Sequence, residues 1–190
     1  MEGTEQRARI LAAALDLIAD RGLDGMTMRQ LAAACDLNIA TLYHYVPGKA
    51  DLIAAIVDER RYDQGLRDLD LPIDPSLPPG PRLVALLTHV ARSARGELRI
   101  WRLLIGEGLR GEPVARAEAT RLSAALTAAV DSWLAKLFPE VAPARRHDVS
   151  SVVTGQLLAG FLDELLLDRG GDRLAARAEA TAAAVFPSSS

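Results

Sequence analysis

Met26-Thr27-Met28-Arg29-Gln30-Leu31-Ala32, followed after a short turn by Asn38-Ile39-Ala40-Thr41-Leu42-Tyr43-His44-Tyr45-Val46, is the stretch that decides the fold of this chain. Thr27 and Gln30 spell a capping box: the threonine hydroxyl accepts from the backbone three residues on, and the glutamine reaches back to the cap. A short helix therefore starts at Met28 and buries Leu31 and Ala32. It stops at Cys35-Asp36-Leu37-Asn38, where Asp36 tolerates a left-handed backbone and Asn38 caps whatever follows. A second short helix covers Ile39 to Val46, and Pro47-Gly48 breaks it. Leu42 and Val46, four residues apart, turn toward Leu31 and Leu37, so the opposite face of the second helix is left to solvent.

Upstream, Ile10, Leu11, Ala14, Leu15 and Ile18 recur at helical spacing and predict a helix from about Thr4, its N-cap, to Arg21, with Gly22 just past the end. Downstream, Lys49 opens a long fourth helix carrying Leu52, Ile53, Ile56 and Val57. Leu71 to Pro81 holds five prolines and reads as a connector that cannot continue a helix. Beyond it the pattern is helical again. Leu83, Leu86, Leu87, Val90 and Ala94 form one stripe, and Ile100 to Ile105 is a short apolar run. Leu122, Leu126, Ala129, Val130, Trp133 and Leu137 form another stripe. Helices from about Pro143 to Asp168 and from Asp172 to Phe186 complete the chain, ahead of a frayed Ser188-Ser189-Ser190 tail. The prediction is an all-α protein of about nine helices, with an N-terminal three-helix module over 1–48 and a helical domain over 49–190.

Two short helices joined by a four-residue turn form a helix-turn-helix, whose second helix enters the major groove of DNA. The residues placed to meet DNA are Asn38, Ile39, Ala40, Thr41, Tyr43, His44 and Tyr45. Small side chains at Ala40 and Thr41 permit close approach to base edges, and tyrosine hydroxyls can donate to phosphates. Lys49, read as lying on the first turn of the fourth helix, adds an ammonium beside free backbone amides.

Met26 to Ala32, Thr41-Leu42-Tyr43-His44-Tyr45-Val46 and Gly48-Lys49-Ala50-Asp51-Leu52 together resemble the DNA-binding domain of the TetR family of repressors, over the first quarter to third of the chain. The resemblance implies DNA contacts by Thr27, Arg29, Thr41, Tyr43, Tyr45 and Lys49. One departure is Asp36, where the family commonly has glycine. Another is charge, since the two helices supply a single cation, Arg29.

The 190 residues are about half apolar and one quarter charged, poor in aromatics, and carry a net charge of −3 with a pI near 5.6. An acidic chain does not by itself suggest a nucleic-acid partner, so the DNA reading rests on the local pattern, and few displaced counterions predict a modest salt dependence. The single cysteine, Cys35, and the charged N-terminus fit a reducing cytoplasm. Val149 to Leu167 approaches membrane-spanning length but carries Gln156, Asp163 and Glu164, and reads as a buried helix with no membrane partner.

One helix-turn-helix reads few base pairs, so operator DNA, meaning a double-stranded palindrome, calls for a homodimer. The last two helices are the predicted interface. One offers Val149, Val152, Val153, Leu157, Phe161 and Leu165, with Gly155, Ala159 and Gly160 allowing close packing. The other offers Leu174, Ala178, Ala182, Val185 and Phe186. His89, Trp101, Leu104, Val130, Trp133 and Gln156 are candidate walls of a pocket for a small apolar or aromatic effector. The mechanism implied is a ligand-driven population shift that moves helix four as a lever and changes the spacing of the recognition helices.

Gly106-Glu107-Gly108-Leu109-Arg110-Gly111 spells a dinucleotide fingerprint, but Asp131 lies on a helical stripe and no second strand precedes it. These glycines read as an interhelical loop. Histidines at 44, 89 and 147 have no metal-ligand spacing, and no nucleophile elbow occurs. No catalysis, cofactor or metal is expected. The competing reading is a helical adaptor without sequence-specific DNA binding.

Overall fold

The computed structural model describes residues 2–59, 62–167 and 170–187. Those residues form ten α-helices and one 3-10 turn: α1 (Glu2–Gly25), α2 (Met28–Ala34), α3 (Ile39–Tyr45), α4 (Leu52–Glu59), α5 (Tyr62–Arg67), α6 (Pro79–Ser93), the 3-10 turn (Ala94–Glu97), α7 (Leu98–Leu109), α8 (Pro113–Leu137), α9 (Pro143–Leu167) and α10 (Gly170–Val185). The chain divides into two compact units, residues 1–64 with 99–122 and residues 65–98 with 123–190. The break therefore does not fall at 48/49. Three helices of so short a segment bury too little apolar surface alone. Leu52, Ile53, Ile56 and Val57 of α4 accordingly sink fully into the first unit, where α4 packs on α1.

In the first unit Ile10, Leu11, Ala14, Leu15 and Ile18 are all buried on one face of α1. The helix begins at Glu2, so Thr4 lies inside its first turn and does not cap it. Gly22, at φ 73° and ψ 164°, interrupts the helix in a conformation that side chains with a Cβ resist. Lys49 precedes α4, in a turn where the amides of Asp51 and Leu52 bond to the carbonyls of Gly48 and Lys49. α7 continues through Leu109, so Gly106 and Gly108 are helical and the expected loop shrinks to a turn around Gly111, at φ 97°. Glu107, between these glycines, has a buried carboxylate that accepts the Leu23 amide at 3.1 Å and the Arg110 guanidinium at 2.8 Å.

The second unit packs α6, the later part of α8, α9 and α10 around Leu83, Leu86, Val90, Val130, Trp133, Leu134, Val153 and Leu157. The proline connector ends at Pro78. Pro79 and Pro81 sit in the first turn of α6, where a missing N–H has no partner to lose. Arg82 is buried and ties three segments together: it donates to the carbonyls of Leu77 and Leu137, pairs with Glu140 at 3.1 Å and lies over the Phe138 ring.

α10 packs on α6 and α9, which changes the reading of the last two helices. Val149, Val153, Leu157 and Phe161 of α9, and Ala178 and Ala182 of α10, are buried within the chain. The exposed side of α9 carries Val152, Leu162 and Leu166 instead. Residues 143–166 are long and apolar enough to cross a membrane by length and composition, and one third of that window is buried. The helix is thus buried on one face only. α10 starts at Gly170, ahead of the expected Asp172, while Asp168 and the 188–190 tail lie outside the described residues.

Candidate nucleic-acid interface

Each turn of the helix-turn-helix is held by local hydrogen bonds. The Thr27 hydroxyl accepts the Gln30 amide at 3.2 Å and Gln30 Oε1 accepts the Thr27 amide at 2.9 Å, the reciprocal pair of a capping box. Asp36 takes φ 56°, and Asn38 Oδ1 accepts the Thr41 amide at 2.8 Å to start α3. Both caps use acceptor capacity. The Thr27 O–H and the Asn38 amide N–H groups remain as donors, which is what a phosphate oxygen requires.

Leu42 and Val46 are buried, so the outer face of α3 is fixed by default. Ile39, Ala40, Tyr43 and His44 are exposed, with Thr41 and Tyr45 half-buried at the edges. His44 and Tyr45 meet edge to face, ring centroids 5.7 Å apart. Thr27, the N-cap of α2, and Arg29, on α2, are exposed. Lys49 Nζ donates to the Asp24 carbonyl at 3.0 Å, which holds the ammonium beside the Gly22 break and leaves two of its three protons for other acceptors. All ten sequence-designated residues lie in the first unit.

Arg9 escapes the sequence reading. An open groove beside the outer face is lined by Glu5, Gln6 and Arg9 of α1 together with Leu37, Thr41 and Tyr45. Periodicity marks only the buried stripe of α1, and it takes the α1–α3 juxtaposition to bring Arg9 next to Thr41. Glu5 in the same groove opposes its charge. Cys35, at the end of α2, is buried, and burial pushes its thiol pKa up while the charge of Arg9 pulls it the other way.

The six candidate pocket residues divide between the two units. Trp101 and Leu104 are buried in the first unit. In the second, Val130 and Trp133 belong to the core, and His89 holds the Asp70 carbonyl through Nε2 at 2.8 Å. Gln156 does line a cavity, of about 50 Å³, among α6, the 3-10 turn, α9 and α10. Among the described residues no cluster of three His, Cys, Asp or Glu side chains could hold a metal ion.

Residues 10–56 match the model of the family described as bacterial regulatory proteins, tetR family. The HTH-type transcriptional repressor DrrR1 of Streptomyces coeruleorubidus is 38% identical over 50 residues, which is 26% of this chain and 18% of that repressor. The match thus spans under one fifth of the relative's length. Salmonella enterica GusR shares the fold with a TM-score of 0.70 at 20% identity, over 95% of each chain. AibR, solved in complex with isovaleryl coenzyme A and operator DNA, gives 0.56 at 21% identity, over 96% of this chain and 98% of that one.

Proposed function

From the premise that residues 10–56 belong to the tetR family of bacterial regulatory proteins, we propose that this chain is a ligand-responsive transcriptional regulator. It represses by binding a palindromic operator as a homodimer, and a small apolar or aromatic effector releases it. The observation that carries the reading is α2, the Asp36 turn and α3, with Leu42 and Val46 buried behind an outer face of Ala40, Thr41, Tyr43 and His44. Thr27, Arg29, Asn38, Tyr45 and Lys49 position the phosphates around it, and Arg9 adds a cation at the Thr41 edge. The chemistry is binding, not catalysis, and the protein works in the cytoplasm.

The homodimer forms through the outer face of α9. Val152, Leu162 and Leu166 are exposed there, with Gly155 and Ala159 between them at helical spacing, and a stripe with small residues at its centre lets two helices approach closely. Covering that stripe also accounts for its apolarity without a membrane. Effector binding favours a conformer with a different spacing of the two α3 helices, so operator affinity falls.

Selection of bound duplexes from a random DNA library tests this directly. An enriched palindrome, lost on joint replacement of Tyr43 and Lys49, is the expected result. No enrichment at low salt would move the reading to a helical adaptor, which fits the acidic net charge.

A further inference from the structure

The cavity of the second unit has a chemistry of its own. Leu87, Leu157, Phe161 and Ala178, all buried, supply an apolar floor. Two polar groups open onto it from the walls. Thr181, on α10, is 5% exposed, and its hydroxyl makes no hydrogen bond among the described residues. The Gln156 side chain, on α9, is half-buried and likewise unbonded. Neither group is sealed from water, and both keep hydrogen-bonding capacity for a polar partner inside the cavity.

Among the described residues, the rim carries more guanidinium than carboxylate groups once its internal pairing is counted. Arg177 and Asp163 neutralise each other at 2.9 Å. Arg95 and Arg173 also line the cavity, are exposed, and have no ion-pair partner among the described residues. Against these two guanidinium groups stands the single unpaired carboxylate of Glu164. A guanidinium holds a carboxylate through two parallel N–H donors, which suits a planar anion at the mouth of an apolar pocket. The space is small. At 50 Å³ it takes about four water molecules, so the apolar body must be short.

We infer that this cavity binds a small carboxylate with a short apolar body: the acid meets Arg95 and Arg173, and the body lies on Leu157 and Phe161. This inference rests on the regulator reading only in making that carboxylate the effector. It narrows the effector from apolar or aromatic to apolar and acidic. Of the six residues first considered for the pocket, it keeps Gln156.

Isothermal titration of the full chain with propionate and butyrate, against propionamide, butyramide and butylamine, tests it. The expected result is saturable binding of the acids, with the amides about tenfold weaker or more, because a charge-assisted contact is lost. The double variant Arg95→Gln with Arg173→Gln replaces exposed side chains and keeps the melting temperature, yet loses about tenfold in affinity for butyrate. Thr181→Val, which preserves shape, weakens binding about threefold to tenfold. Equal binding of acid and amide, preference for butylamine, affinity unmoved by the arginine variants, or no saturable binding at all would each overturn the inference, the last leaving a cavity for water only. Operator selection separates the two readings. An enriched palindrome without carboxylate binding sinks this site alone, and carboxylate binding without enrichment sinks the regulator.

Discussion

Glu107 and Cys35 are the two buried polar side chains of the first unit whose surroundings make a prediction. Glu107 accepts the Leu23 amide just past the Gly22 break, across 84 residues of sequence. Glu107→Ala leaves that amide without its acceptor and is expected to lower stability by about 1–3 kcal/mol in urea denaturation, with Glu107→Gln closer to wild type. An unchanged midpoint for the alanine variant would mean that the bond contributes nothing. Cys35 has its thiol pKa raised above the ordinary 9.0 by burial. Its neutral form therefore favours folding below pH 9, and that contribution is lost as pH rises through the raised value. The native thiol should react with iodoacetamide far more slowly at pH 8 than in urea, and equal rates would contradict the burial argument.

At the scale of elements, α2 and α3 depend on their caps and α9 on its two faces. Thr27→Ala removes one half of the capping box and should cost about 1 kcal/mol, with a drop in operator affinity beyond what the lost stability explains, because the same hydroxyl is offered to phosphate. Calorimetric melting and an operator titration below the transition separate the two effects. On α9, Leu162→Glu with Val152→Glu changes only exposed positions, so the helix content should persist while the proposed dimer dissociates. Sedimentation velocity reads this directly, and a variant that sediments like wild type would place the interface elsewhere.

For the whole molecule, a net charge of −3 means that affinity for DNA has to come from a few local cations. Arg9, Arg29 and Lys49 are the ones at the proposed interface, the last already sharing its ammonium with Asp24. Two or three cations per protomer of a dimer correspond to a log-log salt slope of about −4 to −5. Filter binding of the selected operator between low and physiological salt checks this. A slope near −10 would show that many more Lys and Arg side chains reach phosphate than this surface offers.

Sequence alone determined the parts of this protein whose physics is local. The Thr27–Gln30 box, the left-handed Asp36, the Asn38 cap and the stripes of α1, α6 and α8 each rest on hydrogen bonds or repeats spanning three or four residues, and each stands in the structure where the sequence puts it. Choices between partners far apart in the chain were decided only by the tertiary structure. α9 is apolar on more than one side, so its own residues do not say that Val153 and Leu157 turn inward and Val152 and Leu162 outward; packing against α6 and α10 says it. The burial of the Glu107 carboxylate follows from its reach to Leu23, and the polar walls of the cavity follow from α10 packing on α9. A helix repeat shows which residues share a face, but only the neighbour that excludes water from it decides which face is buried.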